Sequence, residues 1–185
     1  MKHEFAPAYL DVQAFAQSSG ELAGEESLAR YARILQECEG RGADLVVAWS
    51  ARGETRVDQL QAEQVWLHLH AEVVAPLTCQ RCLEVVDITL RVDRSFRFVA
   101  DEQIAAAQDD DSEEDLLVLS GEFNLRELIE DELVLELPMI AHHDICPGQL
   151  STTVTDAKFG IAVAGRPNPF AVLALLKPSN KGDTK

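Results

Sequence analysis

Two long alternating segments around LTCQRCLE (residues 77–84) constrain this chain more than anything else in it. Over residues 64–74, Val65, Leu67, Leu69, Ala71 and Val73 alternate with Trp66, His68, His70 and Glu72. Over residues 85–99, Val86, Ile88, Leu90 and Val92 alternate with Asp87, Thr89, Arg91 and Asp93. A period of two marks strands with one buried face. Both segments are long and their connection is short, so they are predicted to pair antiparallel. Further strands are predicted at 44–51 (DLVVAWSA) and 115–120 (DLLVLS).

Helical signals lie on either side of this β region. Leu28, Tyr31, Leu35 and Cys38 form a stripe at helical spacing, Glu25 and Glu26 suit a helix N-terminus, and Gly40 suits its end; a helix is predicted over 24–38. On that stripe Cys38 reads as a small buried hydrophobe. A second helix is predicted over 124–137: Asn124 and Glu127 make a capping box, Leu125, Leu128, Ile129 and Leu133 point inward, and Pro138 stops it. Near the C-terminus RPNPFAVLALLKP predicts a short helix, with Asn168 as cap, Pro169 at its first position and Pro178 beyond its end. Residues 170–176 are all apolar, so this helix must be buried against its own domain or a partner. The expected fold is α+β in a single domain over 1–177: an antiparallel sheet of four or five strands, two main helices packed on it and the short C-terminal helix. An acidic loop is expected at 101–115, an irregular segment at 139–169 and a disordered tail at 178–185.

Charge limits the partners. The formal net charge is −16, which disfavours wide phosphate contact and favours a basic protein. Residues 109–115 (DDDSEED) hold six carboxylates in seven positions, whereas from Ala157 onward Lys158, Arg166, Lys177, Lys181 and Lys185 face only Asp183. No apolar run is long enough to span a membrane and no secretion signal opens the chain, so a cytoplasmic protein is expected. There the four cysteines are expected as thiols or metal ligands rather than disulfides.

Three chemistries compete for Cys79 and Cys82. A zinc knuckle needs two more ligands, and AHHDICPG offers His143 and Cys146 some sixty residues on. A redox dithiol needs a lowered thiol pKa; the pair lies between strands in an acidic chain, with Arg81 as the one nearby base. The third reading is a turn that holds two small side chains and no ligand. His68 and His70 share the polar face of a strand and read as solvated side chains. No nucleophile elbow, phosphate loop or dinucleotide fingerprint is present, so no enzyme is expected and no small-molecule substrate.

Three stretches in order, LTCQRCLE, NLRELIEDELVLELPMIAHHDIC and RPNPFAVLALLK, resemble the YceD family, the large ribosomal RNA subunit accumulation proteins of bacteria and plastids. The resemblance runs from about residue 44 to 177. It implies a non-enzymatic factor in ribosome biogenesis, needed for 23S ribosomal RNA to be made or to accumulate, through contact with rRNA or with a basic ribosomal or assembly protein. A zinc-binding or redox protein using Cys79 and Cys82 is the alternative. Candidate metal ligands are Cys79, Cys82, His143 and Cys146, with structural zinc as the only cofactor considered. Candidate partner or RNA contacts are Arg81, Arg91, Arg97, Arg166, Asn168, Phe170 and Lys177. Strand alternation puts Arg94 on the face opposite Arg91 and Arg97, which splits any single basic patch.

Overall fold

The computed structural model describes residues 5–57, 61–109, 112–148 and 170. The chain divides into two compact units, Met1–Cys146 and Pro147–Lys185. The first unit holds one five-stranded sheet in the order β1-β2-β3-β4-β5: β1 is Glu21–Ser27, β2 Val46–Val57, β3 Glu63–Thr78, β4 Val85–Val99 and β5 Asp115–Val118. Its helices are α1 (Val12–Gln17), α2 (Ala32–Glu37), α3 (Glu102–Gln108) and α4 (Leu125–Leu135). The architecture is α+β.

The alternating residues do what their period requires. Leu67, Leu69, Ala71 and Val73 of β3 and Val86, Leu90, Val92, Phe96 and Phe98 of β4 are buried on one face. Helix α1 lies against β2 and β3, α4 against β3 and β4, and α2 against α4. The intervening side chains, among them Ser50, Arg52, His70, Arg91, Asp93 and Ser95, are exposed on the other face. β3 and β4 pair without a bulge from Val65↔Phe98 to Thr78↔Val85. Arg94 therefore does stand on the core side, where it pairs with Glu132 (3.3 Å) and Asp115 (3.5 Å) at the sheet rim.

Three expectations need correction. First, residues 24–38 are not one helix: β1 takes Glu21–Ser27, a 3-10 turn takes Leu28–Arg30, and only Ala32–Glu37 is α-helical. The stripe is real, since Leu28, Tyr31 and Cys38 are buried, but the edge of β2 competes for the preceding residues. Gly24, a poor helix residue, fits there because a Cβ would lie 2.7 Å from the Trp49 ring. Second, the acidic stretch 101–115 is not all loop. EQIAAAQ forms α3, capped by Asp101, whose carboxylate accepts from the Ile104 N–H at 2.9 Å. Third, β5 runs parallel to β4. A parallel neighbour needs a crossover, and the segment carrying α3 supplies it. Helix α1, absent from the sequence reading, is only six residues long and too short to show a period. The described part of the irregular segment, 139–148, has neither helix nor strand. The rest of that segment, the C-terminal helix and the tail at 178–185 lie outside the described residues.

Arginine pairs hold α4 in place. Glu26 of β1 receives two hydrogen bonds from Arg126, at 2.8 and 2.9 Å, and the Arg126 guanidinium holds the Glu26 carboxyl below its ordinary range despite partial burial. The Arg33 backbone N–H at the start of α2 donates to Glu130 at 2.7 Å, and the Arg33 side chain reaches Asp131 and Glu130. Glu132 is buried beside Arg94, and burial pushes its carboxyl up against the opposing pull of that guanidinium.

The seat of α1 makes a stability test. A Cβ on Gly53 would lie 2.7 Å from Phe15 Cδ1 and 2.8 Å from the Ala16 backbone, whereas nothing lies within 4 Å of one on Gly121. Gly53→Ala is expected to lower the unfolding free energy in urea by about 1–3 kcal/mol through overpacking. Gly121→Ala is the control and is expected to leave it nearly unchanged.

Candidate metal centre

Where β3 gives way to β4, the chain turns through Cys79–Glu84. The Cys79 N–H donates to the Glu84 carbonyl (2.9 Å) and the Leu83 N–H to the Cys79 carbonyl (2.8 Å), closing the turn. Leu83 has φ +63°, the left-handed conformation such a closure imposes. Arg41, in the loop after α2, braces the strand end that leads into the turn: it donates to Thr78 Oγ1 at 2.7 Å and to the Pro76 carbonyl at 3.3 Å.

The second half of the site comes from beyond α4. Past Pro138 the chain crosses the hairpin tip, and the Gln80 N–H donates to the Ala141 carbonyl at 2.8 Å. This crossing brings Cys79, Cys82, His143 and Cys146 together, with one ligand atom from each lying within 4.8 Å of all the others. The Nε2–H of His143 donates to the Val85 carbonyl (3.0 Å), which leaves Nδ1 facing Cys82 Sγ at 3.4 Å. Cys79 is buried and the other three are partly so.

The donor set fits a metal. Three sulfurs and one imidazole nitrogen are a tetrahedral zinc set, whose sulfurs would stand about 3.8 Å apart given Zn–S bonds of about 2.3 Å. The carbonyl behind His143 is the kind of anchor that orients a ligating imidazole. Burial pushes the Cys79 thiol up, but backbone N–H groups of Cys82, His143 and Arg81 outweigh it and lower the thiol to about 5. At Cys82 burial prevails and the neighbouring sulfurs add to it, so that thiol is raised. The four residues lie close enough to hold a metal.

The remaining candidates are dispersed. Arg81 lies over the cluster and stays exposed: Nε–H donates to Cys146 Sγ at 3.1 Å, and Nη2–H to the carbonyls of His143 and of Asp144, the latter at 3.3 Å. Arg91 pairs with Glu72 at 2.9 Å on the exposed face. Arg97 is 11% exposed and is bound by Glu114, Gln108 and Ser112, so it gathers the acidic segment rather than facing outward. Phe170 is exposed, and Arg166, Asn168 and Lys177 lie outside the described residues. His142 stays outside the cluster, its Nδ1 3.1 Å from the Ile140 carbonyl. His68 is more than a solvated side chain, because it bridges Ser95 Oγ and Glu54 Oε2, each at 2.8 Å. Cys38 is fully buried, as a small hydrophobe would be.

Sequence reasoning missed the bonds of Arg81 to the crossing segment, although its place between the two cysteines was a signal. It also missed Arg41, for which no local pattern exists.

Comparison with known proteins adds to this geometry. A family model described as "Large ribosomal RNA subunit accumulation protein YceD" matches residues 67–177. A Haemophilus influenzae protein carrying that description is 33% identical over 109 residues, which cover 57% of this chain and 62% of that protein. The match thus spans less than two thirds of the relative's length. No solved structure matches this chain.

Leu83 tests the turn. It is 75% exposed and left-handed, so Leu83→Gly gives up little burial and removes the backbone penalty. The variant is expected to be as stable as the parent or up to about 1 kcal/mol more stable in chemical denaturation.

Proposed function

The chain belongs to the YceD family, and from that premise we propose that it is a non-enzymatic ribosome-biogenesis factor supporting the accumulation of large-subunit ribosomal RNA in the cytoplasm. Its contact on the large-subunit precursor is a basic ribosomal or assembly protein. The observation that carries this choice is the state of the arginines. Arg81 and Arg97 are held by internal hydrogen bonds and Arg91 stands beside Glu72, in a chain of net charge −16. Phosphate recognition needs several uncommitted cations on one face. A protein partner rich in lysine and arginine meets no such requirement and gains from long-range attraction. On this reading Arg166, Asn168, Phe170 and Lys177 belong to a second contact with the same precursor.

The metal held by Cys79, Cys82, His143 and Cys146 is zinc in a structural role. What supports this is a set of four donors, three thiols and one imidazole, formed where two distant chain segments meet among the described residues. A closed site of this type contributes folding energy and leaves no open position for a reaction.

Two measurements test these readings. Affinity capture from lysate, with and without RNase, is expected to retain a basic protein in both samples; loss of every large-subunit component on RNase treatment would point to direct RNA contact instead. Elemental analysis of protein purified without chelator is expected to find about one zinc per chain, and far less in Cys146→Ser. Metal-free parent protein would remove the zinc.

A further inference from the structure

The geometry points to Arg81 as the charge partner of the metal centre, an outer-sphere residue that neutralises the site and fastens the crossing segment to the hairpin tip; this rests on the zinc reading above. Three thiolates and a neutral imidazole around a divalent cation sum to one negative charge. That charge would arise on an acidic protein, with Glu84 and Asp144 each two residues from a ligand in sequence. The guanidinium of Arg81 is a cation in direct contact with a ligand sulfur, with Nε 3.1 Å from Cys146 Sγ.

The shape of the side chain matters as much as its charge. One edge of the fork donates to a sulfur while Nη2 donates to the carbonyls of His143 and Asp144. Arg81 comes from the hairpin turn and all three acceptors come from the crossing segment. A single side chain thus repeats, with hydrogen bonds, the junction that the metal makes with coordinate bonds. A hydrogen bond to a metal-bound thiolate also draws charge from the sulfur and makes it a poorer target for protons and electrophiles. Arg81 therefore serves the site through Nε and Nη2, both engaged on the crossing segment. Lysine could restore the charge but not the planar fork.

The test compares zinc binding by the full chain in three forms: parent, Arg81→Met and Arg81→Lys. Zinc affinity is measured by competition with a chromogenic chelator, and zinc release by the rate at which the chelator colours. Arg81→Met is expected to bind zinc about 10–100-fold more weakly and to release it faster, as loss of outer-sphere partners does elsewhere. Arg81→Lys is expected to fall between Arg81→Met and the parent. Parent protein that holds zinc, with Arg81→Met unchanged in affinity and release, would overturn the role of Arg81 and leave the zinc reading standing. Parent protein with no zinc affinity would overturn the zinc reading itself. Should Arg81→Met fail to fold even in excess zinc, Arg81→Gln replaces it: Lys above Gln supports the charge role, and equality contradicts it.

Discussion

The unbroken ladder between β3 and β4 governs the rest of the molecule. Its register, from Val65↔Phe98 at one end to Thr78↔Val85 at the other, decides which side chains reach the core. A slip of one residue would turn Leu67, Leu69, Ala71 and Val73 to solvent and bring His68, His70 and Glu72 inward. Each fully buried Leu or Val is worth about 1.5–3 kcal/mol relative to exposure, so such a slip would undo the fold. The same register fixes the tip, because Thr78 and Val85 are the last pair before the cysteine turn. Both the core face and the cysteine turn are consequences of one strand pairing.

The ladder alone supplies only half of the candidate metal site. The other half depends on α4 ending at a defined place, and ion pairs to β1, α2 and β4 hold that helix from three sides. From its end the chain reaches the tip within a few residues and is fixed there by the Gln80–Ala141 bond. Electrostatics work similarly throughout the first unit. Arginines on a strongly acidic body are used to tie elements together: Arg126 to Glu26, Arg97 to the acidic segment, Arg81 to the crossing chain.

Much of this could be read in the residues because short-range patterns carried it. The alternation in β3 and β4 and the capping box at Asn124 each report one element, and each element is where it was expected. Leu28 and Tyr31 were rightly placed inside and wrongly placed in one helix, since helix periodicity cannot reveal that the edge of β2 will recruit Glu21–Ser27. Helix α1 offered six residues and no period; α3 was concealed by the carboxylates around it. The cluster of Cys79, Cys82, His143 and Cys146 was legible because cysteine and histidine are rare and specific donors. Its outer layer was not, because Arg81, Arg41 and the Val85 carbonyl acquire meaning only once the crossing segment lies over the tip.

The zinc proposed here is one tetrahedral ion that joins the hairpin tip to the segment after α4. X-ray absorption at the zinc edge, on protein purified without chelator, reads that junction directly. The expected first shell holds three sulfurs at about 2.3 Å and one nitrogen at about 2.0–2.1 Å. A shell of oxygen and nitrogen alone, or two sulfurs without the third, would show that Cys79, Cys82, His143 and Cys146 do not close around a common ion.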